Sequence, residues 1–322
     1  MTGIRALLAS GVVALGAVLS TPSLAETTWR INFSVSPEHS WSKALQEWSS
    51  EVTERTNGDL KFDLHYFDAL GAQKESLEGI RLGTLDGAYS LEPFSIWVPE
   101  IDIFGIGYLF RDEDHLMKAL AGQFREILDE KLIAAGFRPM MYFPREPRNI
   151  TSNKPINTLA DMQGLKIRVP QGPSNLALFQ ALGANPVALP FPEIVPGIEA
   201  GILDGQENPL DLVWDFKLFD VQNHVAVTEH QRQAVIFVVS ERSYQRLSDE
   251  TKAILHEAAD TAMANQLKRF REESPQLKAR LEAQGMTFTY PDQAQFRAAV
   301  ENAFDHAHPS VKELIEIVNA ID

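Results

Sequence analysis

Two short stretches of this chain decide which fold its sequence predicts: GLKIRVP at residues 164–170 and LDGQENP at residues 203–209. Each has the composition of a short strand that ends in a polar side chain next to or near a proline, and proline stops a strand. In open α/β sheets, ligands bind in the crevice outside the carboxyl ends of the strands. Arg168 and Asn208 are therefore predicted to line a cleft for a small anion that carries other polar groups.

Strand and helix patterns alternate along the chain on both sides of these stretches. The predicted strands cover residues 29–35, 60–66, 85–91, 165–169, 186–189, 203–207 and 233–239. The predicted helices cover residues 41–52, 75–82, 112–135, 174–182, 193–200 and 248–284. We expect Pro275 to break or kink the last helix, because proline lacks a backbone N–H. The alternation predicts an α/β protein.

The length of the chain predicts two lobes. Without the first 25 of its 322 residues the chain has 297, which is more than a single hydrophobic core usually supports. The apolar strand at 233–239 follows the second group of strands, so the chain is expected to cross between the lobes more than once. Closing the cleft between them is then expected to be a hinge motion.

Residues 1–25 carry the features of a signal peptide. Arg5 precedes an uncharged apolar run, Ala6–Leu19, and residues 23–25 fit the small-x-small pattern of a cleavage site. A membrane anchor is the alternative, but the run is shorter than the ~20 apolar residues that span a bilayer. The mature protein is therefore predicted to begin at Glu26 and to be exported.

Charge and composition exclude several classes of function. The formal net charge is −15 at pH 7, and removing residues 1–25 with their single arginine makes it −16. An acidic surface argues against nucleic acid and anionic lipid as partners. A small anionic ligand remains compatible, because surface charges are screened beyond a distance of ~8 Å whereas an arginine in contact is not. The chain has no cysteine, which excludes disulfides, thiolate chemistry and a lipid-modified cysteine.

The sequence has no catalytic or metal-binding motif that we recognise, so no catalytic residue, metal or cofactor is predicted. It lacks a Gly-x-Ser-x-Gly elbow, a His-Glu-x-x-His motif and a phosphate-binding glycine loop. His306 and His308 are two residues apart, and on a helix they would point to different faces. Asp204 and Glu207 are predicted to orient or neutralise Arg168 or Lys166 rather than to act as the acid pair of a hydrolase.

Five motifs of the chain are similar to those of one known family. They are Leu70-Gly71, Leu82-x-x-Leu85-Asp86, Arg148-x-x-Thr151-Ser152-Asn153, residues 161–170 and residues 204–209. In this order they resemble the DctP-type extracytoplasmic solute-binding subunits of tripartite ATP-independent periplasmic (TRAP) transporters. The resemblance runs from about residue 29 to the C-terminus.

The resemblance implies a two-lobe, type II-like periplasmic binding protein with a hinged cleft and a long helix that spans both lobes. The expected lobes are residues 26–145 plus about 234–273, and about 146–233 plus 274–322. It also implies a monomer in the periplasm whose partners are a small organic acid and the TRAP membrane permease subunits.

The resemblance further implies which residues contact the ligand. In the second lobe they are the carboxylate-binding Arg168, a second arginine at Arg148, the carboxamide of Asn208, the aromatic Phe191 and the polar Gln171. In the first lobe they are Ser34 and an acidic position that falls on Leu91 or Glu92, of which only Glu92 has the chemistry. His39 is a candidate in a loop that departs from the hydroxyl-rich loop of sialate-binding members, which argues against sialate.

Structural roles are the alternatives for these residues. An arginine at a strand end often forms an ion pair, an asparagine before a proline can cap a helix, and Phe191 could pack in the core. Glu92 and His39 could lie in solvent or in a loop.

The residue types favour a hydroxylated monocarboxylate as the ligand. Arginine, asparagine and glutamine are donors, whereas an ionised Glu92 only accepts. A sugar acid such as a uronate would use all of them, and a C4-dicarboxylate would be repelled by Glu92. Dicarboxylates, keto acids, aromatic acids and sulfonates remain alternatives within the family. A periplasmic enzyme or a ligand sensor with the same cleft is the alternative of another class.

Overall fold

The computed structural model describes residues 27–322. The predicted signal peptide, residues 1–25, lies outside the described residues. Within the part of the chain that the structure describes, no helix is long and apolar enough to cross a membrane. Strands and helices are numbered below as β1–β11 and α1–α11 in chain order.

The first of two sheets has five strands in the order β2-β1-β3-β10-β4. The strands are β1 Thr27–Asn32, β2 Leu60–His65, β3 Gly87–Ser90, β4 Phe137–Pro144 and β10 Ala234–Ser240. The first three are parallel, and β10 runs antiparallel to both of its neighbours. In its core the Trp48 ring packs on Phe62 and Phe237, with ring centroids 4.8 and 5.3 Å away.

The second sheet has six strands in the order β11-β9-β5-β8-β6-β7. The strands are β5 Arg148–Ser152, β6 Lys166–Val169, β7 Asn185–Ala188, β8 Gly205–Asn208, β9 His224–Gln231 and β11 Thr287–Thr289. β6 is parallel to β7 and β8, whereas β5 is antiparallel to β8 and β9. The two sheets have separate hydrophobic cores, which confirms the predicted two-lobe α/β fold.

Helices cover the sheets and link the lobes. They are α1 Ser40–Arg55, α2 Gln73–Leu82, α3 Glu113–Leu120, α4 Gln123–Ala134, α5 Pro173–Ala181, α6 Ile194–Glu199, α7 Leu210–Asp215, α8 Glu241–Gln245, α9 Asp249–Ala283, α10 Gln293–Ala299 and α11 Pro309–Asn319. Short 3₁₀ helices include Glu92–Ile96 and Pro99–Gly105.

The long helix α9 spans both lobes, as the resemblance implied. Its first half, around Leu255 and Ala259, belongs to the core of the first lobe, and Leu281 near its end belongs to the core of the second. Pro275 lies inside this 35-residue helix without ending it, so of the predicted break or kink, the break is wrong and the kink stays a prediction. Packing of both halves against the lobes holds the helix together although one backbone hydrogen bond is lost.

Two adjacent chain crossings form the hinge. β4 of the first lobe leads into β5 of the second, and β9 of the second leads back into β10 of the first. The two connections touch, because the backbone N–H of Arg145 donates to the carbonyl of Gln233 at 3.2 Å. Polar side chains in these connections therefore lie between the lobes.

Two further predictions need correction. The single helix predicted at 112–135 is two helices, because Gly122 is in extended backbone between α3 and α4 and glycine is a poor helix former. The predicted bounds placed residues 274–322 in the second lobe, but the apolar face of α11, with Val311 and Leu314, packs in the first lobe's core. The other bounds of the lobes stay a prediction.

Candidate ligand-binding site

One cavity lies between the lobes beside the hinge and is lined by most of the predicted site residues. Those that line it are Ser34, Leu91, Glu92, Arg148, Arg168, Gln171, Phe191 and Asn208. His39 does not line it. The lobes contact each other around it, since the Ser36 backbone N–H donates to Asp215 at 3.0 Å and the Ser174 hydroxyl donates to Asp102 at 2.5 Å.

Arg168 and Asn208 lie at the carboxyl ends of neighbouring strands, where the sequence placed them. β6 and β8 are parallel and pair with Arg168 opposite Gln206. Asn208 follows two residues later as the last residue of β8. The local pattern of strand, polar residue and proline thus predicted where both side chains enter the cleft.

Arg168 is a buried cation whose guanidinium is only partly satisfied. Its Nε donates to the carbonyl of Leu189 at 2.9 Å, and its Nη1 has no hydrogen-bond partner among the described residues. Its guanidinium carbon is 5.7 Å from the centroid of the Phe191 ring. Burial lowers the pKa of Arg168 to about 10, yet the group remains charged at neutral pH. Arg168 therefore offers an unpaired charge and a free donor.

Arg148 differs, because Glu207 pairs with it in a buried bidentate ion pair. Arg148 Nε and Nη2 donate to the two carboxylate oxygens of Glu207 at 2.5 and 2.7 Å. Burial alone would raise the pKa of Glu207, but Arg148 and His230 hold it down at about 2. The pair is hence charged at all ordinary pH values, and Glu207 takes up most of the donors of Arg148.

The predicted partner is therefore wrong for Glu207 on β8 but not for Asp204, which precedes β8. Glu207 neutralises Arg148 rather than Arg168 or Lys166, because β5 and β8 are antiparallel neighbours and bring these side chains together. Asp204 accepts from the backbone N–H of Lys166 at 2.9 Å, so it orients Lys166 through the backbone at the start of β6.

Asn208 and Phe191 also line the second-lobe side of the cavity, and both contact other protein groups. Asn208 accepts from Arg148 Nη2 at 3.0 Å and donates to Gln206, so both ends of its carboxamide already have partners. The Phe191 ring packs on Phe216 with centroids 4.3 Å apart, which gives the cavity an apolar side next to Arg168.

The first-lobe wall carries hydrogen-bond acceptors. The Ser34 hydroxyl donates to the Asp68 carboxylate at 2.6 Å, which leaves the Ser34 oxygen free to accept. Burial raises the pKa of Asp68 to about 6. The Glu92 carboxylate lies 3.9 Å from Arg148 Nη1 and accepts from Gln233 Nε2 at 3.4 Å.

His39 has a structural position outside the cavity. Its Nδ1 caps helix α1 by accepting from the backbone N–H of Trp41 at 3.3 Å, and its Nε2 is 3.5 Å from Asp211. His308, one of the two histidines considered for a metal, likewise caps α11. Among residues 27–322, no group of histidine and acidic side chains could hold a metal ion.

Two buried polar residues of the cavity escaped the sequence analysis. Arg145 is buried with its Nε unpartnered, and its guanidinium carbon lies 5.3 Å from the centroid of the Trp41 ring. The buried hydroxyl of Tyr89 also lacks a partner among the described residues, and both side chains line the cavity. Pro147 lies between β4 and β5 and marks the first chain crossing between the lobes. Polar residues at such a crossing are candidates for lining the cleft.

The arrangement suits reversible binding of an anion. Two buried guanidinium groups without a carboxylate partner create a positive site, and apolar rings exclude water from it. These features define a two-lobe binding protein for a small organic anion.

Comparison with known proteins identifies the family. Residues 31–309 match the family described as "Bacterial extracellular solute-binding protein, family 7" (DctP). The chain belongs to this family, which comprises the periplasmic solute-binding proteins of TRAP transporters, and its similarity to a known family is thereby confirmed.

Three relatives are representative. The 2,3-diketo-L-gulonate-binding periplasmic protein YiaO of Escherichia coli is 31% identical over 95% of this chain and 94% of its own. A solute-binding protein of Roseobacter denitrificans is 31% identical over 91% of each chain; its crystal structure with bound L-galactonate has a TM-score of 0.89 and covers 92% of this chain and 99% of that one. A Polaromonas protein bound to D-erythronate is 28% identical, with a TM-score of 0.88 over 92% and 99% of the two chains.

Proposed function

We propose that this protein captures a sugar acid in the periplasm, holds its carboxylate with Arg168, and delivers it to the membrane permease subunits of a TRAP transporter. The observation that carries the proposal is the buried Nη1 of Arg168, which lacks a partner among the described residues. A buried donor without a partner is costly. A ligand carboxylate would supply the missing acceptor.

The chemistry of the opposite wall supports a hydroxylated acid. The Ser34 oxygen and the Glu92 carboxylate are acceptors, and the Tyr89 hydroxyl is a donor. A simple carboxylate would leave the Tyr89 hydroxyl and the remaining lone pairs of Ser34 and Glu92 without a ligand partner, whereas the hydroxyls of a sugar acid would pair with them. Two relatives hold L-galactonate and D-erythronate, which are acyclic sugar acids, so acids of this kind lead the candidates and uronates follow.

A calorimetric titration tests the ligand class. The panel is L-galactonate, D-erythronate, D-glucuronate, succinate and butyrate. We expect a sugar acid to bind most tightly and the Arg168→Ala variant to lose that binding. Tight binding of succinate with no sugar acid bound would overturn the sugar-acid proposal and favour a dicarboxylate.

Mass spectrometry of the bound acid separates a carrier from an enzyme. A carrier returns its ligand chemically unchanged after release, whereas conversion to a product would identify an enzyme. Edman sequencing of the periplasmic protein should begin at Glu26 if residues 1–25 are a cleaved signal peptide. Sedimentation of the purified protein tests the proposed monomer.

A further inference from the structure

A second cavity lies beside the first chain crossing, where α1, α7 and α9 meet. Its volume is about 400 Å³, which is in the usual range for small-molecule sites. Among the residues that the structure describes, this cavity and the one beside Arg168 share no lining residue. Five carboxylates line the second cavity: Glu38, Glu146, Asp211, Asp215 and Glu273.

The protein supplies little positive charge to balance these acids. Lys43 and Arg280 also line the cavity, but within residues 27–322 neither forms a salt bridge with one of the five carboxylates. The guanidinium carbon of Arg280 lies instead 3.9 Å from the centroid of the Trp214 ring. With every acid ionised, five negative charges face two positive ones, so the cavity attracts cations.

Two of the acids, Asp211 and Asp215 on α7, already have protein partners. Asp215 accepts from the backbone N–H and the hydroxyl of Ser36. Burial alone would raise the pKa of Asp211, but His39 and Arg145 hold it below its ordinary value. Asp211 therefore stays ionised and contributes a fixed negative charge.

Glu146 is buried and only half satisfied. It lies in the first chain crossing and is 5% exposed. One of its carboxylate oxygens accepts from the Ser274 hydroxyl on α9, whereas the other, Oε2, has no hydrogen-bond partner among the described residues. Burial raises the pKa of Glu146 to about 8, and the charges of Asp211 and Glu229 contribute to the increase. A cation that carries N–H groups would supply both the missing donor and the missing charge.

We propose that this second cavity binds an aliphatic primary ammonium ion, whose N–H groups donate to Glu146 and whose methylene chain packs on Phe270 and Leu277. Both apolar side chains line the same cavity, together with Trp214, which favours an organic cation over a bare ion. A metal ion does not fit, because within residues 27–322 no group of histidine and acidic side chains could hold one. The proposal does not rest on the identity of the organic acid, because the two cavities have different linings.

Calorimetry of the purified protein tests the chemistry of the occupant with three probes of similar size. We expect butylammonium to bind and butanol, which has no charge, to give no heat of binding. Tetramethylammonium has the charge but no N–H group, so it should bind at least about tenfold more weakly than butylammonium. Absence of butylammonium binding, or equal affinity for the two cations, overturns the proposal.

Two matched variants test whether Glu146 is the acceptor. Glu146→Gln removes the charge but keeps the shape of the side chain and an oxygen for Ser274, and it should weaken butylammonium binding at least about tenfold. Glu272→Gln changes the charge by the same amount at an exposed position of α9 that does not line the cavity, and it should bind like the original protein. Thermal melts without amine check that both variants fold. Equal affinities of the two folded variants for butylammonium overturn the proposal.

Proton release gives a readout that a purely structural role of Glu146 would not change. With a pKa of about 8, Glu146 is mostly protonated at neutral pH, and an ammonium ion that binds the carboxylate displaces this proton. The other charged groups around Glu146 are those of the cavity, Arg145 and Glu229. Titrations at neutral pH in two buffers with different ionisation enthalpies should show release of up to about one proton per butylammonium in the original protein and in Glu272→Gln. Binding of butylammonium to the original protein without proton release overturns the contact with Glu146.

Discussion

The two walls of the cleft differ in how their polar groups are satisfied. On the second-lobe wall, Arg148 on β5 is fully paired with Glu207, while Arg168 on β6, two strands further along the sheet, keeps a free donor. On the first-lobe wall, Ser34 and Glu92 present acceptors that are held by Asp68 and Gln233. The second-lobe wall therefore carries a cation with a free donor, whereas Ser34 and Glu92 on the first-lobe wall carry acceptors. A ligand that uses both walls couples its binding to hinge closure.

The largest expected effect is on ligand binding and falls on Arg168. Removing one partner of a desolvated ion pair costs ~3–5 kcal/mol, which weakens binding by roughly two to three and a half orders of magnitude. Calorimetry with the best-bound sugar acid should show this for Arg168→Ala. Arg168→Lys keeps the charge but not the planar pair of donors, and should recover only part of the affinity. A loss below about tenfold in Arg168→Ala would place the carboxylate elsewhere, and Arg145 would be tested next.

An effect of similar size is expected for Arg148, but on folding. Arg148→Ala leaves the buried Glu207 charge without its partner, so the free energy of unfolding should fall by ~3–5 kcal/mol. Arg168→Ala removes a cation that has no carboxylate partner and only one hydrogen bond, to the Leu189 carbonyl, so it should lower stability much less. Urea denaturation of both variants measures the contrast. The double variant Arg148→Met with Glu207→Leu should regain most of the loss, and equal destabilisation by the two single alanine variants would contradict the division of roles.

A smaller effect is expected on the first-lobe wall at Glu92. If its carboxylate accepts from ligand hydroxyls, Glu92→Gln should cost ~1.5–3 kcal/mol in binding a sugar acid. Butyrate has no hydroxyl and should bind the variant no more weakly than the original protein. Calorimetric titrations with both acids check this. Unchanged affinity for the sugar acid would leave Glu92 as a partner of Gln233 and Arg148 alone.

The smallest expected effect is on folding stability and concerns Asp68, whose carboxylate accepts a hydrogen bond from the Ser34 hydroxyl. Its folded pKa of about 6 lies above the ordinary value of 3.8 because of burial, so folding favours the protonated form. The stabilisation of the folded state by the protonated Asp68 carboxyl is complete below about pH 4 and is lost as the pH rises through about 6. Asp68→Asn should therefore gain ~1–2 kcal/mol relative to the original protein between pH 4 and pH 7, less than the full shift implies because the group is partly solvated.

Thermal melts across this pH range measure the effect. Asp59→Asn, at an exposed position in the loop before β2, is the control for the aspartate-to-asparagine substitution itself. A gain for Asp68→Asn that is the same at pH 4 and pH 7 would mean that Asp68 does not titrate in this range.

Much of the fold was predictable because its signals are local. Alternating and continuous apolar runs predicted most strands to within a few residues, and the polar residue before a proline located Arg168 and Asn208 at the ends of β6 and β8. The errors concern the points at which helices begin and end. Gly122 separates α3 from α4, whereas Pro275 fails to end α9 because the packing of both lobes sustains that helix.

The class of fold and the positions of the polar strand ends follow from the sequence, since they depend on residue type and spacing along one strand. Which of the charges at those strand ends are free depends on tertiary contacts. Arg148 and Glu207 are 59 residues apart, and Ser34 and Asp68 are 34 apart, so no pattern along the chain reveals that they meet. The pairing of β5 with β8 neutralises one arginine, and the hinge crossing brings Arg145 beside the cavity that Arg168 faces.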